Sequence, residues 1–166
     1  VCSSDLATPK NVHRIDVTTA HEMWQASLES AVKNRIFIGC AAVADYRVAE
    51  VAEQKIKKTN DNNELSLKLV KNPDIIASVA SLEKDRPFVV GFAAETQNVA
   101  EYAKSKLQRK NLDMICANDV SGGQVFGQDQ NALQIFWKTG EKALPLADKN
   151  KLAEVLVTEI VEHYHK

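Results

Sequence analysis

No two cysteines stand at CxxC spacing in this sequence, and there are only three of them, Cys2, Cys40 and Cys116. So few, widely separated thiols exclude a disulfide framework and a zinc ribbon; with Cys40 and Cys116 inside strand-like runs, they fit a reduced, cytoplasmic chain whose cysteines are structural. His13, His21, His163 and His165 lie near the two ends and form no ligand-spaced group with the cysteines, which argues against structural zinc. A GxGxxG turn is missing as well. Gly122-Gly123 is a weak substitute, so a nicotinamide-dependent dehydrogenase lacks its phosphate-binding turn. No apolar run reaches the length of a membrane span, and VCSSDLATPK has neither the basic start nor the apolar middle of a signal peptide. Charge of one sign is not in excess either. With 21 basic and 22 acidic side chains, a generic nucleic-acid binder is excluded, and any anionic ligand must be met by a local cluster.

What remains is a chain of 166 residues, 45% hydrophobic, without repeats, linkers or low-complexity tracts, which is enough for one domain with a substantial core. Thr19 followed by Glu22 forms a capping-box pattern, so a helix is expected from Ala20 to about Val32, before the apolar run Arg35 to Cys40. Leu65 to Val70 alternates in the manner of a strand, and Asn72-Pro73-Asp74 then places an N-cap and a proline at the first helical position before the helix IIASVASL. Phe88 to Phe92 is a second apolar run, Thr96 can cap a helix reaching Lys110, and Met114 to Ala117 is a third run. Strands too apolar to keep one wet face, alternating with helices, imply an α/β fold: a mainly parallel sheet covered on both faces. Asn131 to Trp137 and Lys142 to Leu146, joined through Thr139-Gly140, read as a C-terminal antiparallel hairpin, and Lys149 to His163 as a closing helix.

In open parallel sheets ligands bind beyond the carboxyl ends of the strands. Three such ends carry small and then polar residues: Ala41, Ala42, Ala44 and Asp45; Ala93, Ala94 and Glu95; Asn118 and Asp119. Singly, each fits ordinary tight packing; three of one type favour a site for a flat ligand with hydrogen-bonding groups. On the helix from Asn98 to Asn111, Val99, Tyr102, Ala103 and Leu107 define the buried stripe at 100° per residue, and Lys106 and Lys110 fall inside it. An inward ammonium must meet an anion or reach water along its stem, and cations in a last turn also complement the helix dipole. Lys104 and Arg109 point elsewhere, toward solvent. The stretch from Tyr46 to Lys58 has no apolar face of its own. It suits either a solvated lysine run or a mobile flap carrying Lys55, Lys57 and Lys58 over phosphates.

The motifs AAVADYR, KIKK, KNPDI, GFAAET and KNLDMICANDV, in this order and spacing, resemble the phosphopantothenate-cysteine ligase domain of bacterial coenzyme A biosynthesis, normally the C-terminal half of a bifunctional flavoprotein. The resemblance covers residues 8–166 and leaves residues 1–7 unmatched. It implies a Rossmann-like sheet and CTP-dependent ligation of 4'-phosphopantothenate to L-cysteine through an acyl-cytidylate, with release of pyrophosphate and CMP. By position in the matching motifs, Lys55 is the catalytic flap lysine. Lys55 is also an implied nucleotide contact, with Gly39, Cys40, Ala41, Asp45, Pro73, Asp74, Ile75, Ile76, Phe92, Lys106 and Lys110. Mg2+ accompanies CTP, with Asp45 as its ligand, and FMN belongs only to the decarboxylase half, which is not in this sequence. A homodimer is implied, with the hairpin at Thr139-Gly140 as a contact. The family's early Ser-Asn-His-Ser-Ser-Gly-Lys segment has no counterpart, so the chain is expected to be weakly active or inactive alone. A dehydrogenase fragment and a non-catalytic dimerisation module are the competing readings.

Overall fold

The computed structural model describes residues 7–57, 65–120 and 130–166. Helix α1 (Ala20–Ala31) starts where the sequence places it: Thr19 Oγ1 accepts from the Glu22 amide at 3.1 Å, and Glu22 Oε2 accepts from the Thr18 and Thr19 amides. These backbone donors favour the charged carboxylate and hold Glu22 below its ordinary pKa. Strand β1 (Ile36–Gly39) follows, then β2 (Tyr46–Val48), β3 (Leu69–Lys71), α2 (Ile75–Ala80), β4 (Phe88–Glu95), α3 (Val99–Arg109), β5 (Met114–Asp119), β6 (Gln130–Trp137), β7 (Gly140–Asp148) and α4 (Lys149–Tyr164).

Five strands form one sheet in the order β1-β4-β5-β6-β7, parallel from β1 to β5 and antiparallel through β6 and β7. Alternation along β4 and β5 sends side chains to two separate cores. Val89, Ala93, Ile115 and Ala117 pack under α1, α2 and α3; Val90, Met114, Cys116 and Ile135 pack under Leu152, Leu156 and Ile160 of α4. Helices therefore cover both faces, as expected. Glu159, buried on α4, is held by the Lys142 ammonium of β7.

Several expectations need correction. The strand expected over Leu65 to Val70 is confined to Leu69–Lys71, and it pairs with β2 in a separate two-stranded ribbon rather than joining the main sheet. The start of the expected flap, Tyr46–Val48, is thus a paired strand. Backbone pairing, which side-chain pattern does not report, fixes it. The residues read as loops after the second and third apolar runs are the last residues of β4 and β5: Ala94 pairs with Asn118 and Glu95 with Asp119. Helix α3 is preceded by Asn98 in a left-handed conformation (φ 47°), not capped by Thr96, and Tyr102 is half exposed rather than in the buried stripe. Gly122-Gly123, Cys2 and Lys58 lie outside the described residues.

The KNLDM motif proves to be an anchor of the fold. Asn111 turns the chain with φ 53°, and Arg86 donates to Asp113 Oδ2 at 2.8 Å, to Ala80 O at 2.8 Å and to Asn111 O at 2.7 Å. One guanidinium thereby joins the end of α2, the start of β4 and the turn into β5.

Candidate functional site

A cleft of about 710 Å³ opens beside the edge strand β1. Its walls come from the end of β1 and the following loop, from the turn leading into α2, and from the end of α3. The cap of α2 is Asp74, not Asn72, so Pro73 lies ahead of the helix rather than at its first position: Asp74 Oδ1 accepts from the Ala77 amide at 3.1 Å, while Asp74 Oδ2 meets Lys110 Nζ at 2.8 Å. Burial pushes the Asp74 pKa up, but the Lys110 ammonium, the Ala77 amide and the nearby Arg109 charge outweigh it and hold the carboxyl below its ordinary range.

Glycine shapes the floor. Gly39 and Gly91 are register partners on β1 and β4, and a Cβ built on either would stand 3.0 Å from Ile76 Cδ1. The paired absence of side chains is what lets α2 settle close to the sheet, so that Ile76 both packs on it and lines the cleft.

Gly39, Cys40, Ala41, Asp45, Pro73, Asp74, Ile75, Ile76, Phe92 and Lys110 all line this one cleft. Lys55 and Lys106 do not. Lys55 is exposed on the chain after β2, and Lys106 reaches the end of β4, where its Nζ lies 2.6 Å from Glu95 Oε1. Two inward lysines thus meet two different carboxylates. Cys40, expected inside a strand, is exposed just past β1, whereas Cys116 is buried in β5, where desolvation pushes its thiol up to about 12.

Arg109 is exposed, as helical periodicity expects, but it also stands at the rim of the cleft beside Lys110, a position sequence reasoning does not assign to it. Sequence reasoning also misses Lys71 and Asn72, although both belong to the KNPDI motif, and Met23 and Ser27 of α1. Adjacency to a nominated motif is the available signal for Lys71, Asn72 and Arg109; nothing local points to Met23 or Ser27. Lys104 pairs with Glu141 at 2.6 Å and lies 5.3 Å from the Phe136 ring centroid. A second cleft, about 620 Å³, separates α3 from the β6–β7 turn; it is lined by Gly140 of the expected dimer hairpin and by none of the implied nucleotide contacts.

Fold and cleft together define a Rossmann-like α/β domain whose candidate site lies at the end of an edge strand, ringed by basic and acidic side chains. The family model described as the DNA/pantothenate metabolism flavoprotein C-terminal domain matches residues 1–164, and the chain belongs to that family. It is 72% identical over 162 residues to the Coenzyme A biosynthesis bifunctional protein CoaBC of Haemophilus influenzae, covering 98% of this chain and 40% of that protein. Against the protein of the same name from Escherichia coli K12, identity is 58% over 161 residues, covering 96% of this chain and again 40% of the relative. The chain therefore spans about 40% of the length of these relatives. The crystal structure of the C-terminal domain of a Coenzyme A biosynthesis bifunctional protein CoaBC matches with a TM-score of 0.74 at 30% identity, over 94% of this chain and 68% of that one. A Cab2 mutant in complex with phosphopantothenate-cysteine shares the fold at 16% identity and a TM-score of 0.68, over 90% of this chain and 51% of that one.

Proposed function

We propose that this chain supplies the nucleotide-activating part of a phosphopantothenate-cysteine ligase, with CTP in the cleft beside β1 and 4'-phosphopantothenate and L-cysteine as the substrates joined. The observation that carries the reading is the convergence on one cleft of every implied nucleotide contact except Lys55 and Lys106. Membership of a family whose relatives are named for coenzyme A biosynthesis supports it.

In the proposed reaction, a carboxylate oxygen of 4'-phosphopantothenate bonds to the α-phosphorus of CTP as the bond to pyrophosphate breaks. The amine of cysteine then bonds to the acyl carbon, CMP leaves with the electron pair, and the amine gives up a proton. Peptide groups near Ala41 and the Pro73 turn read the edge of the cytosine ring, because a site built on such hydrogen bonds rejects a base that leaves them unpaired. Lys71, Arg109 and Lys110 meet the phosphates; Lys110 does so by exchanging the Asp74 carboxylate for a phosphate oxygen. Lys55 acts as the catalytic lysine when the segment after β2 folds onto the cleft.

Among the described residues no three His, Cys, Asp or Glu side chains are grouped to hold a metal, and of the two cleft carboxylates Asp74 is engaged by Lys110. The residues present fit a magnesium ion carried mainly by phosphate oxygens, with Asp45 as its protein carboxylate. Asp45 would hold such an ion, which when bound would supply positive charge against the pyrophosphate. A homodimer and fusion to a flavin-dependent decarboxylase belong to the same reading.

Thermal unfolding with CTP, ATP or NAD, each with and without magnesium, is the test, since a ligand bound only by the folded state raises the midpoint. A rise with CTP and magnesium, and little with the others, is expected. A response to NAD alone points to the dehydrogenase reading, and no response to any nucleotide leaves the dimerisation module.

A further inference from the structure

We propose that Asn72 is a positioning residue that clamps the loop ending β1 to the turn starting α2, so that the two walls of the cleft keep a fixed separation. The inference rests on the nucleotide reading above and adds a residue that acts through its neighbours.

Three hydrogen bonds make the clamp. The Asn72 side-chain amide donates from Nδ2 to Ala44 O at 2.8 Å, and the Asn72 backbone amide donates to Asp45 O, also at 2.8 Å. Further along the same segment, in β2, Arg47 Nη1 donates to Asn72 Oδ1 at 3.3 Å and to Lys71 O at 2.7 Å, the latter bond supporting the clamp. Consecutive carbonyls of the β1 loop are thereby tied to one residue of the opposite wall. Because the Asp45 peptide oxygen is occupied by the clamp, the backbone there is fixed while the carboxylate stays available to the cleft.

The chemistry demands an asparagine. Its side chain must donate toward Ala44 and accept from Arg47 at once, and a carboxamide does both. An aspartate would still pair with Arg47 but would set a carboxylate oxygen against the Ala44 carbonyl. Pro73 adds to this from the other direction: the residue before a proline is restricted to extended backbone, so Asn72 is presented to the loop before any ligand arrives. Beyond Asn72 the wall is held by Asp74, which caps α2 through the Ala77 amide whether or not Lys110 stays on its carboxylate. Arg47 of the ribbon thus meets Asn72 on one side of Pro73, and Lys110 of α3 meets Asp74 on the other.

The consequence for function is a division of labour. Groups that meet the base sit on both clamped walls, whereas Arg109 and Lys110, which meet phosphate, stand on α3 outside the clamp. Losing the clamp should weaken recognition of the base more than attraction of the phosphates.

The test compares the parent chain with Asn72→Ala by amide hydrogen exchange without ligand, and by calorimetric binding of CTP and ATP with magnesium. Faster exchange is expected across residues 43–48, with α3 and β4 unchanged. CTP affinity should fall about tenfold, the scale of one lost hydrogen bond between polar groups. The ratio of CTP to ATP affinity should fall with it, which a merely destabilising substitution would not produce. If Asn72→Ala does not fold, Arg47→Ala, which frees the Asn72 carbonyl but leaves the Ala44 bond, should show the same pattern to a smaller extent. Unchanged exchange over 43–48, or an unchanged affinity ratio in a parent that binds CTP, overturns the inference alone. A parent that binds no CTP overturns the ligase reading, and the positioning role with it.

Discussion

Lys110 Nζ lies 2.8 Å from Asp74 Oδ2, so the residue that ends α3 is tied to the residue that starts α2. Both residues line the cleft. Each partner also serves a second purpose, since Asp74 caps its helix and Lys110 faces the space assigned to a triphosphate. Replacing Lys110 by methionine keeps most of the stem and removes the charge. CTP binding with magnesium is expected to weaken about ten- to hundredfold, the range of one hydrogen bond to a charged group, as read by calorimetry. Unaltered affinity in the Lys110→Met protein would remove this lysine from the site.

The same pair makes stability depend on acid. The folded-state pKa of Asp74 lies below its ordinary 3.8, so the stabilisation is fully present above that value. In the window below it the unfolded chain binds more protons than the folded one, and stability is lost as pH falls through the folded-state pKa. Asp74→Asn retains a capping oxygen and removes the titration. Urea midpoints at successive pH values should therefore fall less steeply for Asp74→Asn than for the parent below about pH 4. Parallel slopes would show that the carboxylate is not held by Lys110 in solution.

Much of this arrangement is legible in the sequence, and the reasons are physical. The capping box at Thr19 and Glu22 and the apolar runs of β1, β4 and β5 are local signals, set by residues within one turn or one strand, and the Asn72-Pro73-Asp74 turn marks α2 although its cap falls on Asp74. The candidate residues are legible through motif order, and the cleft gathers most of them. What escapes is set at long range. The partner of β3 depends on backbone pairing with β2, about 20 positions away in the chain, and an alternating pattern does not name a partner. Helical periodicity correctly sends Arg109 to solvent, but periodicity within one helix does not report that the exposed side borders a cleft built by β1 and the Pro73 turn.

Lys106 illustrates the limit of periodicity from the other side. Its inward position follows from the helical pattern, but the anion it meets is Glu95, at the end of β4, rather than a residue of the cleft. Glu95 is the more buried partner, with 15% of its side chain exposed against 36% for Lys106, so removing the ammonium leaves a largely desolvated carboxylate without its charge partner. Lys106→Gln should cost about 1–3 kcal/mol of folding stability. Adding Glu95→Gln should recover much of that loss, because the amide pair no longer contains an uncompensated charge. Urea unfolding of both single variants and the double variant measures the coupling. Additive effects would mean that the two side chains do not interact.

Thiol reactivity offers an independent check on the position of the cleft. Cys40 is exposed and lines it, whereas Cys116 is buried in the core under α4, with its thiol pushed up to about 12. The nucleophile in alkylation is the thiolate, so burial protects Cys116 twice, by excluding the reagent and by suppressing ionisation. Brief treatment of the folded chain with iodoacetamide, followed by peptide mass spectrometry, should modify the peptide containing Cys40 and spare the one containing Cys116; denaturation should expose both. Saturating CTP with magnesium should slow modification of Cys40, since a ligand seated beside Gly39 and Ala41 covers that sulfur. Equal rates with and without nucleotide, in a chain whose midpoint CTP does raise, would place the bound nucleotide away from the end of β1. The thermal response alone cannot make that distinction, because it reports binding anywhere on the folded state.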